Sequence, residues 1–228
     1  MTEPSAVRAA LRTAAILTVF TVVFTALMAA TYHATKPAID ASAEAEKLRL
    51  VGEVLPATDY DNALLGDYVV VWPRAELGLA AQDDPVRVFR ARLAGTPAAL
   101  VFETVAPDGY AGRIRLILAV GTDGRLIGVR VVSHKETPGL GDYIDPKKDR
   151  NKKAPWIRQF DAKGFEQVAA ADWKVKRDGG HFDARAGATI SARAVTNSVR
   201  RALQFAVDNR DRLFALPAQS ALEKEKPK

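Results

Sequence analysis

No cysteine occurs among the 228 residues. Disulfides, thiolate-ligated iron–sulfur clusters and cysteine nucleophiles are therefore excluded within this chain, and any redox work must use a cofactor that needs no thiolate. Histidine is scarce too: His33, His134 and His181 are dispersed, with no paired carboxylate at ligand spacing, which argues against a metal site. A nucleic-acid-binding motif is also missing. The formal net charge of +6 is scattered, and its one cluster, Lys147-Lys148-Asp149-Arg150-Asn151-Lys152-Lys153, reads as a solvated loop, so no nucleic-acid partner is expected. What the chain does have is 48% hydrophobic and 26% charged residues, the balance of a polypeptide that folds.

Residues 13–32 are twenty consecutive positions without a charge, bounded by Arg12 on one side and by His33 and Lys36 on the other. Twenty residues at helical rise match a hydrocarbon core of about 30 Å. The run has no clear small-x-small cleavage site, so a permanent transmembrane anchor is expected instead of a removable signal peptide. Arg8 and Arg12 give a slight positive-inside vote for residues 1–12 as a cytoplasmic tail, although Lys36, Lys47 and Arg49 follow the span. Ala14, Thr18, Thr21, Thr25 and Met28 fall on one stripe, the small and hydroxylated pattern that lets another helix approach within a membrane. Residues 33–56 then read as a helical connector, Ala-rich with Glu44, Glu46, Lys47 and Arg49, which Pro56 stops.

The remaining domain, 57–216, begins with short β-prone runs, Tyr68–Trp72, Val86–Arg92 and Ala98–Thr104, each punctuated by Gly or Pro. The clearest hairpin joins Ile114–Val120 to Arg125–Val132 through Gly121-Thr122-Asp123-Gly124. Helical spacing of Val195, Val199, Leu203, Ala206 and Val207 predicts a final helix from about Ile190 to Leu216, ended by Pro217. Residues 217–228 are expected to be a disordered tail. The fold class is α+β: one N-terminal transmembrane helix, then a twisted antiparallel sheet with flanking helices.

Two stretches could carry chemistry. In Asp183-Ala-Arg-Ala-Gly-Ala-Thr189 a small-residue turn delivers one hydroxyl to the start of the last helix. Free N–H groups and the positive dipole end favour a phosphate there. The competing reading is that Thr189 or Ser191 simply N-caps the helix. In Ser133-His-Lys-Glu-Thr-Pro-Gly-Leu-Gly-Asp142 two glycines flank a leucine, giving a loop whose backbone can approach a flat ligand.

Taken together these segments resemble the two signatures of the FMN-binding domain family. Asp183, Gly187, Ala188 and Thr189 match its Asp-x-x-Ser/Thr-Gly-Ala-Thr/Ser motif, while Ala186 stands where Ser or Thr is usual. Glu136, Thr137, Gly139, Leu140 and Gly141 match the loop that lines the isoalloxazine. The resemblance implies FMN held covalently through a phosphoester on Thr189, with Glu136 and Thr137 tuning protonation of the reduced ring. It also implies a separate flavin transferase that uses FAD and a divalent metal. Trp156 with Gln159-Phe160, and a Lys-rich strand from Trp173 leading into Asp183, correspond to further family features. In size and plan the chain is most similar to the G subunits of Rnf-type complexes. That resemblance implies a single-pass electron carrier of the bacterial inner membrane, with its flavin domain on the periplasmic side, relaying electrons between ferredoxin and NAD among other subunits without turnover of its own. The C subunit family of sodium-translocating NADH:quinone reductases, or a stand-alone extracytoplasmic flavinylated carrier, is the alternative. A tethered, non-redox binding domain is the reading from a different class.

Overall fold

The computed structural model describes residues 3–222 and forms two compact units, 1–47 and 48–228. Helix α1, Glu3–Val54, begins in the first unit and is continuous across the expected boundary between anchor and connector, with Pro37 inside it. The stretch Ala6–Ile39 is long and apolar enough to cross a membrane, and its side chains, among them Leu17, Phe20, Phe24 and Leu27, are exposed. A helix apolar on all sides suits lipid and not water. The stripe of threonines is partly turned inward on itself: Thr18 Oγ1 donates to the Ala14 carbonyl and Thr21 Oγ1 to that of Leu17, both at 2.9 Å. Their lone pairs, but not these donated hydrogens, are left for a neighbouring helix.

The second unit is organised by a six-stranded sheet: β1 Tyr68–Val71, β2 Val86–Leu93, β3 Thr96–Ala106, β4 Ile114–Gly121, β5 Leu126–Ser133 and β6 Ala221–Leu222, in the order β5-β4-β3-β2-β1-β6. Period-two alternation in β2 and β3 places Val88, Leu100 and Phe102 on one face, where they pack with Val195, Val199, Leu203 and Phe205 of helix α2, Thr189–Ala215. Ala91, Ala99, Val101, Ile117 and Ala119 on the other face are covered by Val51, Val54 and Leu55 at the end of α1. Small residues recur on this face, so a helix end can lie close. The β4–β5 turn closes through Gly124 N–H to the Gly121 carbonyl at 3.0 Å.

Three expectations need correction. The sheet is antiparallel from β5 to β1 but mixed as a whole, because β6 runs parallel to β1. Residues 217–222 are accordingly ordered: Gln219 N–H meets the Tyr68 carbonyl at 2.7 Å and Val70 N–H that of Ser220 at 2.8 Å, satisfying an edge that would otherwise be bare. The rest of the expected disordered tail, 223–228, lies outside the described residues. Finally, the segment from Trp173 is no strand. It makes one parallel bridge, Val175 with Phe182, then a single 3-10 turn at Lys176–Asp178, because Gly179 and Gly180 reverse the chain while Trp173 anchors in the core.

The C-terminal end of α2 is clamped by two arginines from β2. Buried Arg90 donates from Nη1 to the Leu213 carbonyl at 2.9 Å and also reaches that of Leu216, while Arg92 Nη2 reaches Phe214 O at 3.3 Å. Asp67 joins them, accepting from Arg90 Nε at 2.7 Å and Arg92 Nε at 2.9 Å. Cations at the negative helix end satisfy carbonyls that the helix itself cannot. Burial alone would raise the Asp67 carboxyl, but the hydrogen bonds and charges of Arg92 and Arg90 hold it below its ordinary value.

Candidate functional site

Two turns of the same design build the site. In Thr137-Pro138-Gly139-Leu140 the Leu140 N–H bonds the Thr137 carbonyl at 3.1 Å, and Gly139, third in the turn, has φ +77°. In Arg185-Ala186-Gly187-Ala188 the Ala188 N–H bonds the Arg185 carbonyl at 3.1 Å, and Gly187, again third, has φ +83°. Positive φ at that position is the signature of a type II turn and requires glycine. The second turn passes directly into α2, whose first residue is Thr189.

Neither Thr189 nor Ser191 caps the helix. The N-cap position is Ala188, and it makes no side-chain cap bond. Ser191 Oγ instead donates to Glu136 Oε2, and Glu136 Oε1 accepts the Ala111 N–H at 3.1 Å. The buried Glu136 carboxylate thus ties together the two signatures and the loop before β4. Gly141 lies against this cluster so closely that a Cβ there would stand 2.7 Å from Ser191 Oγ and 2.8 Å from Glu136 Oε2. Thr189 is 9% exposed, and among the described residues its hydroxyl has one hydrogen-bond partner, Arg177 Nη1 at 3.5 Å.

A second network steadies the turn before Thr189. The Tyr143 hydroxyl accepts the Arg185 N–H at 3.1 Å and donates to the Ala188 carbonyl at 3.4 Å, bridging both ends of the turn. Burial pushes the Tyr143 phenol up, which keeps the donated proton in place. Arg185 stacks over the Tyr143 ring at 4.6 Å and pairs with Asp149. Asp149, fully buried, also accepts N–H groups of Trp156 at 2.7 Å and Asn151 at 2.9 Å. Burial works to raise its carboxyl, but these N–H groups and Arg185 hold it below the ordinary aspartate range. The basic run is therefore solvated except for its one acid, which is turned inward.

The structure brings Glu136, Gly141 and the start of α2 together. Thr137 contributes its carbonyl to the first turn, and Leu140 projects outward, 56% exposed. Asp183 is held by its backbone, its carbonyl accepting from Trp156 Nε1 at 2.6 Å and its N–H donating to Gln159 Oε1 at 2.8 Å. Its carboxylate faces outward and pairs with Lys176 Nζ at 2.7 Å. Trp156 packs edge-on against Tyr143 and Phe160, which makes it a prop for the motif. Sequence reasoning missed Arg177, Tyr143, Asp149 and Arg185. The signal for Asp149 was a lone acid inside a basic run.

These residues fit a flavin phosphate and a flat ring. The Thr189 hydroxyl stands beside unpaired helix N–H groups and a guanidinium, and glycines at 139 and 187 leave open space where a Cβ would sit. Each residue gathered at Glu136 is preceded by an exposed apolar side chain: Tyr110 before Ala111, Leu140 before Gly141 and Ile190 before Ser191. An exposed apolar side chain thus stands next in sequence to each of these contacts.

Comparison with known proteins identifies the family. Residues 109–204 match the FMN-binding domain family and residues 1–54 match the RnfG N-terminal region. A protein of Pseudomonas aeruginosa, named as the G subunit of an ion-translocating oxidoreductase complex, is 42% identical over 214 residues, covering 94% of this chain and 96% of the relative. Proteins of the same name from Shewanella amazonensis and Pseudoalteromonas atlantica are 41% and 37% identical, over 81% and 88% of this chain and 82% and 89% of the relatives. With likeness extending over nearly its whole length, the chain belongs to the family of G subunits of ion-translocating oxidoreductase complexes, Rnf-type proteins that contain an FMN-binding domain.

Proposed function

We propose that this chain is the membrane-anchored electron carrier of an Rnf-type ferredoxin:NAD oxidoreductase complex, holding FMN covalently as a phosphoester on Thr189 Oγ. The observation that carries this reading is the state of that hydroxyl: it opens α2, caps nothing, and lies beside a guanidinium. FMN supplies reversible uptake of electrons singly or in pairs, chemistry that no side chain of this cysteine-free sequence offers. The start of α2 stabilises the phosphate charge. Backbone groups of Gly139 to Gly141, with Leu140, address the ring, and Glu136 fixes both signatures in one place. Thr137 and Glu136 would influence protonation of the ring, and Asp183 links the start of the motif to the 176–178 turn through its Lys176 pair.

The chain relays electrons between neighbouring subunits and turns over no substrate of its own. Its flavin domain lies on the periplasmic side of the bacterial inner membrane, and a flavin transferase loads it from FAD. Co-expression with such a transferase should give a protein whose yellow fluorescence survives denaturing electrophoresis, and Thr189→Ala should abolish the signal. Retention of fluorescence in that variant would remove the attachment claim. Protease added to intact spheroplasts should cleave the flavin domain; full protection would put it on the other side.

A further inference from the structure

The charges around the Thr189 hydroxyl do not cancel, and the remainder is informative. The turn Lys176-Arg177-Asp178 carries two cations and one anion. Asp178 is committed to Arg193 of α2, which grips it at two points, Nε to Oδ2 at 2.6 Å and Nη2 to Oδ1 at 2.8 Å. Lys176 is committed to Asp183 at 2.7 Å. Arg177 makes no direct ion pair among the described residues, although Asp178 lies within its field, and its Nη1 stands 3.5 Å from the Thr189 hydroxyl. The reversal at Gly179 and the bridge between Val175 and Phe182 hold this turn against the motif. The guanidinium is exposed, served by water and by the field of Asp178, and an anion esterified at Thr189 would give it a direct partner.

Building on the Thr189 ester reading, we propose that Arg177 is the phosphate clamp of the attachment site. Before attachment its N–H donates to Thr189 Oγ and leaves the hydroxyl's own hydrogen uncommitted. Attachment forms the Thr189 Oγ–P bond and breaks the P–O bond that joins the FMN and AMP halves of FAD. AMP departs with that electron pair, the hydroxyl proton passes to solvent, and no electron is gained or lost. The phosphorus keeps its two non-bridging oxygens and one negative charge, and Arg177 shifts from Oγ to one of those oxygens. Lysine can supply the charge at this place, but glutamine cannot.

The test uses the full-length protein in detergent with a purified flavin transferase, FAD and Mg²⁺, following denaturation-resistant fluorescence with time. R177Q should attach flavin about tenfold more slowly, the scale of one lost charge-assisted hydrogen bond, and R177K should stay within about threefold of wild type. The 31P resonance of the finished phosphodiester should move in R177Q, a readout independent of electron transfer. Wild-type attachment by R177Q with an unmoved resonance would overturn the clamp, and so would equal slowing in R177Q and R177K, which would mean that shape and not charge is required. Thr189→Ala run alongside keeps the two ideas separate: covalent flavin in that variant defeats the ester reading, whereas its loss beside normal R177Q defeats only the clamp.

Discussion

The two long helices use the same side chain in opposite ways. In α1, Thr18 and Thr21 lie within the helix, and each hydroxyl is absorbed by the carbonyl four residues back. In α2, Thr189 is the first helical residue, where no preceding turn of the helix supplies such a carbonyl, so its hydroxyl is available. The surfaces differ in the same sense. The apolar residues of the span in α1 are exposed, whereas α2 buries one face, Val195, Val199, Ala202, Leu203 and Ala206, against the sheet. One helix is shaped by the solvent it expects, the other by the sheet it covers. Position within a helix, more than residue type, decides whether a threonine hydroxyl is engaged or available.

The largest expected effect breaks that comparison directly. The double variant Thr189→Ala with Ile190→Thr keeps a hydroxyl in the first turn of α2 but rotates it by about 100°. It should carry no covalent flavin in a denaturing gel, and normal loading would show that location within the turn is immaterial. Next in size is Arg90→Ala, which leaves Asp67 with Arg92 alone and frees the carbonyls of Leu213 and Leu216; loss of about 3 kcal/mol in urea unfolding followed by tryptophan fluorescence is expected. Gly141→Ala forces a Cβ onto Ser191 and Glu136 and should cost about 1–3 kcal/mol in the same assay, with slower flavin attachment.

Acid should produce a smaller, graded loss. Asp149 and Asp67 titrate lower in the folded protein than their ordinary value of 3.8, so their contribution is full above that value and disappears as pH falls through the folded pKa. Melting temperature should therefore drop below about pH 4, and Asp149→Asn should flatten the drop; an equal slope in the variant would assign the acid sensitivity elsewhere. Smallest of all, replacing Thr18, Thr21 and Thr25 with leucine should leave unfolding of the flavin domain within about 0.5 kcal/mol of wild type. The same variant should lose co-purifying membrane subunits if that stripe is a helix contact, and unchanged co-purification would count against it.

How far the sequence spoke depended on how local the cause was. Alternation in Val86–Leu93, the Asp123-Gly124 turn and the helical spacing from Val195 to Ala206 are short-range signals, and the strands and α2 follow them. Strand β6 is two residues long and owes its existence to the open edge of β1, which no local pattern announces. Arg90 has the same parity in β2 as Val88 and so points inward, but a guanidinium there makes sense only once the end of α2 arrives more than 120 residues later. Glu136 is similar: in sequence it is a charge in a glycine-rich loop, and its burial is explained by Ser191. The motif residues were legible through resemblance, while the props of the site, Tyr143, Asp149 and Arg177, act through contacts between distant segments.

The arginine grip on the far end of α2 matters beyond stability. Because Ser191 is fastened to Glu136 at one end and the last carbonyls are fastened to Arg90 at the other, the peptide groups between them have little freedom to swing when charge appears or leaves beside Thr189. A redox group suspended there would meet an environment already oriented before each electron comes, so little energy is wasted in rearranging the protein and transfer can be fast with a small driving force.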